Sequence, residues 1–279
     1  MERVTDGPET FAAGRPAWDS GAAQAADSVQ VNDYDSFAEA YSAETENNIV
    51  NAYLARPAIM TLAGEVAGRR VLDAGCGSGP LSAALRERGA VVTGIDSSAG
   101  MLALARRRLG DDVDLQVVDV RDPLPFADDS FDDVVASLVL HYLEDWGPTL
   151  AEMRRVLRPG GRLIASVQHP LVDYLIQDPP RPSYFATTSF TEDWTFNGQS
   201  FPMTFWRRPL HAMTDAFASA GFRLTVISEP QADPAARELF PDEIDDFTAK
   251  LSFLCFVVEV PPSAAASKAG DQPGVSSPL

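Results

Sequence analysis

Cysteine is nearly absent: Cys76 and Cys255 are the two in 279 residues. So few thiols cannot staple a small secreted scaffold, and neither has the neighbours of a metal site, so no metal is expected. Both fit a reduced, cytoplasmic protein. Long apolar runs are missing as well, so no stretch reads as a membrane span. The opening MERVTDGPETF lacks the apolar core of a secretory signal. Basic charge is scarce, with 22 Lys and Arg against 40 Asp and Glu and a net charge of -18. The densest basic run, RRR at 106–108, falls inside a helical pattern. Such a surface repels nucleic acid and anionic membranes, and neither is expected as a partner.

What the chain does have is apolar residues, at 45%, enough for a substantial core. They come in short runs that alternate with helical patterns. Strands are predicted over 70–74, 90–95, 114–119, 133–137, 162–167, 222–228 and 251–258. Helices are predicted over 80–88, 99–109, 149–157 and 210–220. Near-continuous apolar strands separated by helices mark an α/β fold, a mostly parallel sheet covered on both faces. The last two strands lack a long helical crossover, so they read as an antiparallel pair at a sheet edge. The link between them, ELFPDEIDDFTAK, is expected to hold short turns at most. Residues 1–30 read as a flexible N-terminal arm, 31–65 as a helical cap, 66–260 as the main domain and 261–279 as a disordered tail. Within the main domain, 169–209 reads as an irregular insertion rich in aromatics, at the end of the sheet where such folds bind ligands.

The most informative stretch is VLDAGCGSGP, at 71–80. Gly75, Gly77 and Gly79 allow a tight turn and a close approach of backbone to ligand. A dinucleotide fingerprint needs its third glycine one position later, where this chain has Pro80. Asp73 opens the turn, and its charge would repel a pyrophosphate. The spacing therefore argues for a nucleoside cofactor without phosphate and against a nicotinamide dinucleotide. Asp96 closes the second strand, a place from which a carboxylate accepts ribose hydroxyls. Asp119 closes the third and can accept from an exocyclic amine or cap a turn.

VLDAGCGSGP, VVTGIDSSAGML, LQVVDVRDPLPFADDSFDDVVASLVLHYLED and MRRVLRPGGRLIASVQHP stand in that order along the chain. With these motifs the sequence resembles the class I S-adenosylmethionine-dependent methyltransferases, in particular their small-molecule, type 11 group. The resemblance implies a Rossmann-like seven-stranded sheet with an antiparallel last strand, and S-adenosylmethionine as cofactor. It implies that Asp73, Gly75 and Gly77 surround the methionine end, with Cys76 packed in the turn. It places Asp96 on the ribose, Ser97 and Met101 beside the adenine, and Asp119 and Val120 at the adenine amine. Ser137 and Leu138 would lie near the sulfonium. Tyr34 and Tyr41 would close over the cofactor, and Arg56 would anchor the cap or the methionine carboxylate.

A methyl group on cationic sulfur is already electrophilic, so the enzyme must chiefly position the acceptor and exclude water. His141 and His169 follow the fourth and fifth strands and are the candidate general bases. His211 reads as structural. Tyr142, Tyr174, Tyr184, Trp194, Phe205 and Trp206 are the candidate walls of an acceptor pocket. The expected activity is methyl transfer to the O, C or N of a small, hydrophobic metabolite. Alternatives are a tRNA or protein methyltransferase, and a non-catalytic module that only binds the cofactor. A homo-oligomer in which the arm crosses a neighbour's site is a further expectation.

Overall fold

The computed structural model describes residues 32–196 and 198–262. The expectations for the arm and for nearly all of the tail lie outside them. Seven strands form one sheet: β1 (Arg70–Ala74), β2 (Val91–Asp96), β3 (Asp114–Val117), β4 (Phe131–Ser137), β5 (Leu157–Gln168), β8 (Arg223–Ser228) and β9 (Phe253–Glu259). Their order is β3-β2-β1-β4-β5-β9-β8. The first five run parallel, and β9 lies antiparallel between β5 and β8. The antiparallel final pair expected from the sequence is present.

Side chains alternate across a strand, so an unbroken apolar run feeds two cores. Leu72, Val134, Leu163 and Phe256 join one cluster, under α5 (Gly147–Val156) and α7 (Leu210–Ser219). Their neighbours Val71, Val135, Ile164 and Val257 join the other, under α2 (Arg56–Ala63) and α3 (Pro80–Glu87). The N-terminal cap is a short 3-10 turn, Tyr34–Phe37, followed by α1 (Ala38–Asn47), a π-helical turn Asn51–Ala55 and α2. The cap packs on α4 (Ala99–Leu109), beside the carboxyl ends of β1 and β2.

Two expectations need correction. The insertion is not irregular: after α6 (Pro170–Leu175) it forms an antiparallel hairpin of β6 (Thr188–Phe196) and β7 (Gln199–Arg207). Its inward residues Phe196, Phe201, Met203 and Phe205 pack against Phe37 of the cap, and that shared core makes the ribbon regular. The link before β9 is more than short turns. It holds α8 (Ile244–Ala249), whose Ile244 and Phe247 pack with Ile49, Leu54 and Phe253.

Candidate functional site

The strand order reverses between β1 and β4, and the crevice beyond their carboxyl ends is where such sheets bind ligands. β1 enters it through the glycine turn. Gly75 has φ 77°, and a Cβ there would come within 2.4 Å of Val139 Cγ2. The turn therefore needs glycine for both conformation and space. Gly79 ends the turn in the left-handed region, and Pro80 opens α3 at a position that needs no N–H. Cys76 is buried against Gly94 on β2, which is packing, not chemistry.

Carboxylates surround this turn. Asp73 is 1% exposed and accepts a hydrogen bond from Ser82 Oγ at 2.6 Å. Burial pushes its carboxyl up to about 7; the charge of Asp96 adds to the rise and the Ser82 hydroxyl opposes it. Asp96 accepts from the N–H groups of Gly77 and Ser98, each at 2.9 Å, which leaves lone pairs for further donors. Burial raises its pKa too, against those two bonds, with Asp35 and Asp119 adding to the rise. Asp119 accepts from Arg121 and is held below the usual carboxylate range by that guanidinium. With Ser97 it lines an open hollow beyond β2 and β3. Mutually repelling carboxylates around a glycine turn fit a ligand that brings positive charge, hydroxyls and an amine. They do not fit one that brings phosphates.

The cap completes the crevice. Asp35 Oδ1 accepts from Ser98 Oγ at 2.6 Å and from Gly100 N–H at 2.7 Å, and Ser98 caps α4 by accepting from Met101 N–H. Tyr34 and Tyr142 share a 2.5 Å hydroxyl contact, and the Tyr41 ring meets Tyr34 edge-on. Burial raises the pKa of all three phenols, with Tyr41 at about 12, and the charge of Asp96 raises those of Tyr41 and Tyr142. Met101 lies beneath Gly77 and is itself buried. Arg56 is half-buried beside Glu46 and Arg108, and Arg108 in turn donates to Ser78 O at 2.9 Å. Val120 packs at the edge of the main core, and its carbonyl accepts from Thr149 Oγ1. Ser137 ends β4, its Oγ 3.3 Å from Ser166 Oγ. Leu138 follows with φ 58°, a left-handed conformation that a branched side chain rarely adopts outside functional sites.

The candidate bases fare differently from expectation. His169 caps α6: Nδ1 accepts from Leu171 N–H at 3.2 Å, which places the proton on Nε2, and Nε2 meets Glu229 Oε1 at 3.1 Å. Both ring nitrogens are engaged within the fold, so His169 offers no lone pair to a substrate. Glu229, one residue beyond β8, is its partner. His141 is buried, accepts from Gln168 N–H through Nδ1 at 3.4 Å, and packs edge-on against Tyr142 and Phe205.

The aromatic insertion divides into groups. Trp194 and Phe205 join Tyr34, Tyr41 and Tyr142 in one cluster facing the cap. Tyr174 and Tyr184 instead flank the buried Arg207 guanidinium, at 5.5 and 5.7 Å. Arg207 donates to the carbonyls of Ser183, Tyr184 and Ala186, so this group braces the loop before β6. Trp206 is the neighbour of Phe205 on β7 and points to the opposite face of the ribbon. Sequence reasoning missed Asp35, Ser82 and Gln168. Asp35 stands beside the noted Tyr34, while Ser82 carries no signal beyond its helical spacing from the turn.

Residues 72–165 match the family described as "Methyltransferase domain". The chain is 43% identical over 134 residues to the demethylmenaquinone methyltransferase of Clavibacter sepedonicus, covering 47% of this chain and 54% of that one. It is 41% identical over 106 residues to the malonyl-[acyl-carrier protein] O-methyltransferase of Serratia marcescens, covering 36% and 38%. The chain thus spans about half or less of the curated relatives it matches. A solved S-adenosylmethionine dependent methyltransferase from Mesorhizobium loti shares the fold, with a TM-score of 0.62 at 24% identity over 77% of this chain and 99% of that one.

Proposed function

We propose that the chain is a class I S-adenosylmethionine-dependent methyltransferase of the small-molecule group and that it methylates a small, apolar metabolite. The observation that carries the proposal is the ring of Asp73, Asp96 and Asp119 about a phosphate-averse glycine turn, roofed by the tyrosines of the cap. Bound there, S-adenosylmethionine would supply an electrophilic methyl group on a cationic sulfur. Asp73 would meet the amino group of its methionine end, and Asp96 the ribose hydroxyls. Asp119, already paired with Arg121, would share its carboxylate with the adenine amine. Tyr34, Tyr41 and Tyr142 would exclude water and shape the approach of the acceptor.

An acceptor entering between the cluster of Phe205 and Trp194 and that of Leu138, Phe240 and Phe253 would meet apolar side chains on both sides. They support an uncharged substrate. The matched region is shared alike with relatives named for demethylmenaquinone and for malonyl-[acyl-carrier protein]. With His169 engaged in the fold, positioning carries the main share of the rate enhancement and His141 is the remaining candidate base. Two free, buried cysteines support a cytoplasmic setting. Among the described residues no helix is long and apolar enough to cross a membrane. An oligomer joined through residues 1–30 belongs to the same proposal, and light scattering of the full chain across concentrations tests it.

The deciding experiment is calorimetry with S-adenosylmethionine and with NAD, followed by a labelled-methyl screen over quinols, phenols and acyl thioesters. Binding of the first nucleoside alone, with transfer to one class, is the expected result. NAD binding would overturn the proposal. Cofactor binding without transfer to any acceptor would favour a non-catalytic module.

A further inference from the structure

The carboxylates and the cap account for the donor side of the crevice. One buried polar atom has no such account. The side-chain carbonyl oxygen of Gln168 is shut off from solvent and has no hydrogen-bond partner among the described residues. The other such atoms are Nε of Arg207 and of Arg208, whose guanidinium forks already donate to neighbouring carbonyls. The Gln168 oxygen has no such alternative, and buried carbonyls left unpaired are rare because they forfeit the water they gave up.

Its place in the fold gives it a use. Gln168 is the last residue of β5, at the ligand edge of the sheet. Ser166 lies two residues earlier and so on the same face. Ser166 Oγ touches Ser137 Oγ at 3.3 Å and accepts from Leu138 N–H at 3.1 Å. Gln168 therefore stands one pleat beyond the Ser137–Ser166 pair, at the mouth of the crevice. Leu138, the residue after β4, is tied to Ser166 on the same strand as Gln168. On the other side the partner of Gln168 across the sheet is Phe253, packed with Ile49, Leu54 and Phe247. The main chain there is fixed, since Gln168 N–H meets His141 Nδ1. A buried acceptor on a fixed main chain, given no donor by the described residues, is suited to a donor from a bound ligand.

Building on the methyl-transfer function proposed above, we infer that Gln168 is a specificity-determining residue: its carbonyl oxygen accepts a hydrogen bond from an O–H or N–H of the methyl acceptor. The acceptor class is thereby narrowed to apolar molecules that carry a hydroxyl or amine. A site built around such a bond rejects the analogue that lacks the donor far more strongly than an apolar pocket rejects a missing methylene.

The test titrates 2-naphthol and its methyl ether, 2-methoxynaphthalene, into the full chain saturated with S-adenosylhomocysteine. The naphthol is expected to bind at least tenfold tighter. Gln168→Leu should abolish that gap by weakening the naphthol alone, leaving the affinity for S-adenosylhomocysteine within twofold. Gln168→Met, closer in shape, should do the same and guards against a folding defect. The ligand-free variants should also melt at higher temperature, because an unpaired polar atom has been removed. Equal binding of the two probes, preference for the ether, failure of both to bind, or lower melting in both variants would overturn the inference. Absence of S-adenosylhomocysteine binding by the unaltered chain would instead sink the methyl-transfer function on which it rests.

Discussion

At the scale of single residues, Asp73 carries the sharpest consequence. Burial lifts its carboxyl to about 7 in the ligand-free protein. The folded chain then holds a proton that the unfolded chain releases at roughly pH 4. The stabilisation this proton brings is complete below about pH 4 and is lost as pH rises through 7, with a slope of at most about 1.4 kcal/mol per pH unit. Asp73→Asn has no such proton to lose. Urea unfolding from pH 4.5 to 7.5 should therefore show the variant gaining on the unaltered protein as pH rises. Cofactor affinity should run the other way. If Asp73 meets the cofactor's ammonium group as proposed, it does so as the ionised carboxylate, so calorimetry from pH 6 to 8 should show affinity rising in the unaltered protein and a flatter profile in the variant. His169 gives a second outcome. As a helix cap, its removal in His169→Ala should lower stability by about 1 kcal/mol, while His169→Asn, which keeps a capping acceptor, should recover most of it. Turnover that tracked the ring rather than the cap would restore His169 as a base.

At the scale of elements, the glycine turn depends on a contact between two short segments. In Gly75→Ala the new methyl would strike Val139, and φ 77° would remain unfavourable for alanine. The contact and the conformation can be separated by a double-mutant cycle with Val139→Ala. Denaturant unfolding should show a loss of about 3 kcal/mol or more for Gly75→Ala alone. The loss should be only about 1–2 kcal/mol in the Val139→Ala background, where the left-handed strain persists but the collision is gone. Elements of this kind were largely legible in the sequence. β2, β4 and β5 end at Asp96, Ser137 and Gln168 on the ligand edge of the sheet, and α4 was read to its ends as 99–109. The hairpin was legible too, but its signals went unread. Asn197-Gly198 separates TSFTEDWTF from QSFPMTFWR, with Phe190, Trp194 and Phe196 on one phase of the first and Phe201, Met203 and Phe205 alternating in the second. What the sequence could not display is who meets whom across long separations. Glu229 lies 60 residues from His169, and Asp35 lies 63 from Ser98. Those partners decide whether a histidine is a base or a cap, and whether the helical cap merely covers the crevice or latches onto α4.

At the scale of the whole molecule, the latch predicts that cofactor binding is a cooperative event. The cap reaches the sheet through Asp35 at the start of α4 and through the phenol cluster over Asp96, so one ligand in the crevice would contact the cap, the turn and the end of β2 together. A ligand that binds only the assembled arrangement stabilises all of its parts, by about 2.7 kcal/mol at a hundredfold excess over its Kd. Hydrogen exchange with S-adenosylhomocysteine should accordingly slow together in residues 34–47, 75–79 and 96–101. Asp35→Ala removes the acceptor that Ser98 and Gly100 share while leaving the glycine turn and Asp96 in place. In that variant, ligand protection should persist at 75–79 and 96–97 but fade from the cap, and affinity should fall about tenfold. Uniform protection in the variant would mean that the tyrosine cluster alone holds the cap closed. Loss of protection everywhere would mean that Asp35 organises the start of α4 itself, making it part of the binding surface rather than the latch upon it.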